Sequence, residues 1–293
     1  MVLPVCGVAF ALIIALNNAC GLLRQDMPAI EGKPGDMVEV PAGEFIVGCP
    51  PQWNNDTQCT TLASHPYQTI SLPAFSIDRF EVTVGQYKAC VDAGGCETPK
   101  PLTEGAYHEH CNFGVSGREQ HPINCVSFVE AAAFCAWAGK RLPTSLEWEK
   151  AARGTDGRYF PWGDAPHERD FKLYGNVKAL RQAYVRSLPG KPDIEGMLAE
   201  IPWPATAPVG SFPGNRSPYG VYDMAGNVKE FAAPTPGIWD ATQETLLGHP
   251  PGADTVATRG GYWADVAFGL ATMTVMPRGQ NSRSASTGFR CAG

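Results

Sequence analysis

Residues 37–48 read Met-Val-Glu-Val-Pro-Ala-Gly-Glu-Phe-Ile-Val-Gly, with apolar side chains recurring at about every second position. A period of two places such side chains on one face of extended backbone, and the run predicts an opening hairpin. Residues 68–77 alternate in a similar way and predict a further strand. The period then lengthens. Thr83 stands immediately before residues 84–92, a short helix whose first free amides its hydroxyl oxygen can cap. Ser127 with Glu130 three places on forms a capping box, and Ala131, Phe134, Cys135 and Ala138 share one face of the helix beyond it. Thr144 and Glu147 repeat the arrangement ahead of residues 148–153. After Gly154 the pattern breaks into turns, aromatics and short strands as far as Arg290. No repeat, low-complexity tract or second boundary interrupts the run. The expectation is one mixed α+β domain over residues 37–293, loop-rich, with short strands and a few short helices.

Composition fits that outline and narrows the function. Of 293 residues, 44% are hydrophobic and only 18% charged, which suffices for a sizeable core and argues against disorder. The 32 Gly and 26 Pro favour turns over long helices. A net charge of −6 without any basic run argues against nucleic acid or an anionic membrane surface as partner. The first 16 residues carry no charge and are almost wholly apolar, too short for a confident membrane span and suited to a signal-peptide core. No Lys or Arg precedes them. Ala19-Cys20-Gly21 resembles a bacterial lipoprotein cleavage site with Cys20 as the lipidated residue, although Leu16 lies one place early and Asn17 stands where a small apolar residue belongs. Residues 1–20 are therefore expected to be a signal peptide or lipoprotein signal, and residues 21–36 a polar linker. The mature chain is expected in the periplasm, in the cell envelope or secreted, with a lipid on Cys20 as its route to a membrane.

Cys6 and Cys20 fall in that signal. The mature cysteines are Cys49, Cys59, Cys90, Cys96, Cys111, Cys125, Cys135 and Cys291. An even number in an exported chain suggests disulfides. Eight cysteines allow on the order of a hundred pairings, so spacing does not decide among them. Closing the shortest loops gives Cys49–Cys59, Cys90–Cys96 and Cys111–Cys125, and leaves Cys135 with Cys291. A zinc site would want close C-x-x-C pairs, and there are none.

Several segments carry a family resemblance. They are Pro41-Ala-Gly-Glu-Phe-Ile-Val-Gly48, Phe80-Glu-Val-Thr-Val-Gly-Gln-Tyr87, His121-Pro-Ile-Asn-Cys-Val-Ser127 and Ala136-Trp-Ala-Gly-Lys-Arg-Leu-Pro-Thr144 with Glu147-Trp-Glu149. Pro161-Trp-Gly163, Ala207-Pro-Val-Gly210, Gly220-Val-Tyr-Asp-Met-Ala-Gly-Asn-Val228, Arg259-Gly-Gly261 and Gly288-Phe-Arg-Cys291 complete the set. Together, in this order, they resemble the formylglycine-generating-enzyme (sulfatase-modifying-factor) family. The resemblance implies a variant of the C-type-lectin fold and a disulfide between Cys135 and Cys291. Within such a scaffold, Trp137, Trp148, Trp162 and Phe289 are expected to fill the core. Gly260 and Gly261 are expected to turn the backbone, and Arg141 and Arg290 to hold carbonyls or carboxylates.

The same resemblance implies where chemistry would lie. Enzymes of the family carry two cysteines after the Arg-Gly-Gly segment, which bind copper(I) and oxidise a substrate cysteine to formylglycine with oxygen. Matched without a gap from Arg259 through Pro277-Arg278-Gly-Gln-Asn281, those positions are Asp265 and Leu270. Neither supplies the soft thiolate that copper(I) takes, so copper chemistry is not expected. A calcium site is implied at Asp223, Gly226, Val228 and Glu230, as two carboxylates and two backbone carbonyls, hard oxygens of the kind calcium binds. Asn176 and the carbonyl of Val177 would begin a second calcium site, its acidic partner obscured by an insertion with Asp193 and Glu195. His108-Glu109-His110 reads as an exposed loop beside Cys111, since residues two apart diverge on a helix and no third ligand is evident. Serine-hydrolase and phosphate-loop motifs are absent.

Trp263, Asp265, Phe268, Met273, Arg278, Gln280, Asn281 and Arg283 would line the corresponding cleft. Their aromatic and Arg content suits recognition of an extracellular or envelope protein, peptide or glycan by a monomeric domain. A second reading keeps the cleft for non-cysteine enzyme chemistry, with Asp265 and Arg278 as an acid–base pair or, more simply, a salt bridge. The third is formylglycine generation itself.

Overall fold

The computed structural model describes residues 29–49, 51, 67–104, 107–164, 205–234, 254–265 and 267–293, with residues 267 and 268 described by their backbone alone. The chain divides into two units, Met1–Ile30 and Glu31–Gly293, and the second contains every element named below. The expected signal over residues 1–20, Cys20, the first half of the linker, Cys59, Asn176 and Val177 lie outside the described residues.

Strands β1 (Met37–Val40) and β2 (Gly43–Val47) do not fold back on one another. They run antiparallel to β4 (Phe75–Asp78) and β3 (Gln68–Leu72) respectively, with Val40 opposite Phe75 and Gly43 opposite Leu72. The hairpin expected within residues 37–48 is thus incorrect. The register carries straight through both pairs, so the four strands form one long ribbon interrupted at Pro41 on one side and at Pro73 on the other. Proline has no amide hydrogen to donate to a ladder, which accounts for both gaps. Alternation identifies the strands, but the partner lies beyond the local pattern.

The helices are α1 (Val84–Asp92), α2 (Phe128–Trp137) and α3 (Ser145–Arg153). Each opens with a reciprocal capping box, Thr83 with Gln86, Ser127 with Glu130 and Thr144 with Glu147. Each box satisfies amides that a helix start leaves without partners. A second sheet has the order β7-β6-β5-β8, from β5 (Lys229–Ala232), β6 (Thr255–Arg259), β7 (Met276–Gly279) and β8 (Thr287–Gly288). β6 lies antiparallel to β5 and β7, and β8 parallel to β5.

Disulfides join Cys90 to Cys96, Cys111 to Cys125 and Cys135 to Cys291. Cys49 is also disulfide-bonded. Trp148 and Phe289 are fully buried, but Trp137 is 45% exposed, contrary to the expectation that it fills the core. It is the last residue of α2, and its ring lies over the turn at Gly95, where an added Cβ would meet Trp137 Cδ1 at 2.2 Å. Trp162 is half-buried and stacks on Phe160 with centroids 5.1 Å apart. Residues 289–293 are threaded into the centre of the domain. Val82 N–H donates to Phe289 O at 2.9 Å, Asp78 N–H to Cys291 O at 2.8 Å, and Gly293 N–H to Ser76 O at 2.9 Å.

Candidate functional site

Strand β5 presents consecutive charged residues, and alternation sends them to opposite faces of the sheet. Glu230 faces the core. Its Oε2 accepts from Arg290 Nε at 2.6 Å and Trp148 Nε1 at 2.8 Å, and its Oε1 from Arg290 Nη2 at 2.7 Å. Arg290 also donates to the carbonyls of Asp78 at 3.1 Å and Tyr222 at 2.9 Å, so its fork is fully engaged. Glu81 and Asp223 share this buried region. Glu81 accepts from Asn227 Nδ2 at 2.6 Å and Val228 N–H at 3.2 Å, and burial, then Asp223 and Glu230, push its pKa well up. Burial pushes Asp223 up to about 7, opposed by the Gly210 N–H that donates to its Oδ2 at 2.5 Å.

This region also bears on a cation. Asp223 Oδ1 and Asn215 Oδ1 are buried without a hydrogen-bond donor, and Asp223 N–H donates to Asn215 O at 3.1 Å. A carboxylate oxygen and an amide oxygen left as bare acceptors suit a hard cation in kind. Glu230 differs, since both its oxygens already serve Arg290 and Trp148. No group of three or more His, Cys, Asp or Glu placed to hold a metal ion occurs among the described residues. A cation here would therefore draw on Asp223, Asn215 and backbone carbonyls such as those of Gly226 and Val228.

The other face of β5 carries Lys229. Its Nζ lies 3.4 Å from Asp265 Oδ2, 4.7 Å from the centroid of the Tyr262 ring and 3.1 Å from Met276 Sδ. Phe231 stands opposite Thr258 and Thr258 opposite Met276, which puts Met276 and, two residues on, Arg278 on the Lys229 face. The turn that delivers residues 262–265 depends on Gly260 and Gly261, at φ 86° and 67°. A Cβ on Gly261 would lie 2.6 Å from Gly269 O, so no other residue fits. Trp263 is 8% exposed, walled by Tyr107 at 4.7 Å and His110 at 5.2 Å between ring centroids. Its Nε1 is buried without an acceptor.

The two positions matched to the copper cysteines differ from each other in their surroundings. Leu270 closes a 3₁₀ turn (Ala267–Leu270) and is 0% exposed, an ordinary core residue. Asp265 is nearly buried and pairs with Lys229. The Asp265–Arg278 pair considered from the sequence does not form. Among the described residues Arg278 makes no ion pair, and its Nε is buried without a partner. Burial pulls the pKa of Lys229 down against the pull of Asp265, and that of Arg278 down with nothing opposing it. All described cysteines are disulfide-bonded, so the described residues hold no thiol for copper and do not fit that metal.

The remaining expected residues scatter. Met273 is fully buried in the core and does not line the cleft. Arg283 is fixed by two 2.8 Å hydrogen bonds to Glu130, Gln280 Nε2 donates to Asp254 Oδ1 at 2.8 Å, and Asn281 is exposed. The side chain of Phe268 lies outside the described residues. His108–His110 form an exposed 3₁₀ turn beside Cys111, yet His110 also packs edge-on against Trp263. Sequence reasoning misses Lys229, Tyr107, Tyr262 and His110 as parts of this site. Lys229 comes directly after the segment ending at Val228, and strand alternation from Glu230 is signal enough to place it on the opposite face of the sheet. Nothing local links Tyr107 to Trp263.

A family model described as "Sulfatase-modifying factor enzyme 1-like domain" matches residues 24–293. The chain is 28% identical to the formylglycine-generating enzyme of Bos taurus, over 94% of this chain and 78% of that protein. It is also 28% identical to the inactive C-alpha-formylglycine-generating enzyme 2 of Mus musculus, over 87% and 85% respectively. Among solved structures, PvdO from Pseudomonas aeruginosa superposes with a TM-score of 0.62 at 24% identity, covering 89% of this chain and 99% of that one.

Proposed function

The chain belongs to the sulfatase-modifying-factor family, and from that premise we propose that it is an exported member whose cleft recognises a peptide, glycan or envelope protein rather than running copper chemistry. One observation carries the reading. Where thiolates would be required, Asp265 is committed to Lys229 and Leu270 is buried in the core. The disulfides support an oxidising compartment, and with it export. The test mixes the protein with a sulfatase-derived C-x-P-x-R peptide, copper and oxygen, with mass spectrometry to detect an aldehyde. No aldehyde is expected, and clear turnover would overturn the proposal. A glycan array and an envelope-protein pull-down then test recognition directly. Binding lost in Asp265→Ala and Arg278→Ala supports it, and binding untouched by both counts against it.

Calcium is part of the same proposal, held by Asp223 with the carbonyls of Gly226 and Val228, and with Asn215 as a further oxygen; Glu230 would act through its grip on Arg290. A cation bound only by the folded state raises its melting midpoint. Chelator is expected to lower that midpoint, and an unchanged value removes the site. A second reading, enzyme chemistry without cysteine, is favoured by one feature. Lys229, its pKa lowered by burial and set against a carboxylate, is an arrangement suited to proton transfer.

A further inference from the structure

One face of the second sheet holds two cations, Lys229 and Arg278, and Asp265 is the carboxylate paired with Lys229 there among the described residues, in a chain whose net charge is −6. Asp265 is engaged by Lys229. Asp254, two residues from the Val256 that stands opposite Arg278, is engaged by Gln280. Arg278 is thus a half-buried guanidinium with an orphaned Nε and no ion pair among the described residues. The fully buried arginines are saturated by contrast: Arg290 by Glu230 and three carbonyls, Arg259 by Ser145 and Glu149, Arg153 by Glu149 and three carbonyls. A guanidinium withdrawn from water without an acceptor is costly, and these three avoid it. A second donor is also unsatisfied, the Nε1 of Trp263, a side chain more than nine-tenths buried that neighbours Tyr262, the ring over Lys229. The same turn carries Tyr262 over Lys229, and Tyr107 lies edge-on to Trp263.

We propose that the cleft takes the oxyanion of its ligand, a carboxylate or a group of like shape and charge, with Arg278 as its main anchor, Trp263 Nε1 as a neutral donor and Lys229 supplying the field. Arg278 suits this because its planar fork matches two oxygens at once. The aromatic rings of Tyr107, Tyr262 and Trp263 then receive whatever apolar or planar part adjoins the anion. This inference rests on the cleft being a recognition site and names the chemistry it recognises.

The test uses the full chain with benzoate as probe, benzamide as its neutral counterpart, and inorganic sulfate and phosphate to separate a carboxylate from other oxyanions. Binding is read by titration calorimetry and melting midpoint. Benzoate or one of the inorganic anions is expected to bind and benzamide not. Arg278→Gln is expected to weaken the anion at least about tenfold, the usual size for losing a charged hydrogen bond. Arg278→Lys is expected to recover part of that loss, and Trp263→Phe, which keeps most of the ring but removes the N–H, to cost a few-fold. Because Arg278 makes no ion pair to lose among the described residues, the Gln variant should melt with the parent protein when no anion is present. Benzoate and benzamide binding alike, anion affinity unchanged in Arg278→Gln, or no response to any of the three anions would each overturn the inference. The broader reading fails differently. If an array or pull-down ligand depends on Arg278 and Asp265 but is not displaced by any anion, the recognition site stands and its anion specificity does not.

Discussion

Arg290 and Arg278 serve opposite faces of the same sheet, and they are treated in opposite ways. Arg290 is wholly buried and meets Glu230 through two short hydrogen bonds while also holding backbone carbonyls. Arg278, half-buried, has a bare Nε and no ion pair among the described residues. The first arrangement fixes structure: each donor has a protein acceptor, and removing the cation strands a carboxylate among others. The second leaves a charge with no carboxylate paired to it among the described residues. Saturation separates Arg290 from Arg278, although an orphaned Nε also occurs at Arg79, away from this face.

The contrast between the two arginines is most severely tested by Arg290→Met. It would leave Glu230 uncompensated beside Glu81 and Asp223, and a loss of about 3–5 kcal/mol is expected in chemical denaturation. A smaller loss would mean that the core charge is less dependent on its partner than its bonding suggests. Next comes His121, buried against Thr206 with its Nδ1 2.9 Å from Oγ1. Burial, with Arg118 nearby, lowers its pKa from 6.5 to about 4. The folded state therefore holds fewer protons than the unfolded chain between those values, so the stability is full above pH 6.5 and falls as pH drops toward 4. The fall should amount to roughly 3 kcal/mol and shrink in His121→Gln, as measured by denaturation across that range. On the cleft face the effects should be smaller. Lys229→Met and Asp265→Ala are expected to cost about 1 kcal/mol each, and a double-mutant cycle should return a coupling of about 0.5–1 kcal/mol. Smallest of all, Arg278→Gln should shift stability by no more than about 0.5 kcal/mol. A loss as large as that of Arg290→Met would erase the distinction between the two faces.

How much of the molecule is legible in its sequence depends on the range of each interaction. Ser127 with Glu130 and Thr144 with Glu147 are local, and both boxes form where their spacing puts them. The pairing of residues 37–47 with residues 68–78 is not local, and an apolar alternation says only which face is buried. The site divides in the same way. Asp265 and Arg278 can be picked out from their positions after Gly261, but the partner of Asp265 comes from β5, and the wall of Trp263 from Tyr107 and His110. Trp137 misleads because a large aromatic in a helix is expected to point inward, whereas it ends its helix over a glycine turn.

The threading of residues 289–293 through the domain bears on how the protein is made. Asp78 binds the amide of Cys291, 213 positions away, and Ala292 exchanges hydrogen bonds with Arg141. The inner edge of the N-terminal ribbon is thus incomplete until that distant segment arrives. The Cys90–Cys96 and Cys111–Cys125 loops, with separations of 6 and 14, can close before the C-terminal segment is in place, whereas the 156-residue loop between Cys135 and Cys291 cannot. Long-range closure of this sort slows folding. Maturation should then end in one late, cooperative locking step, before which the partly oxidised chain would be a substrate for the proteases and chaperones of its compartment.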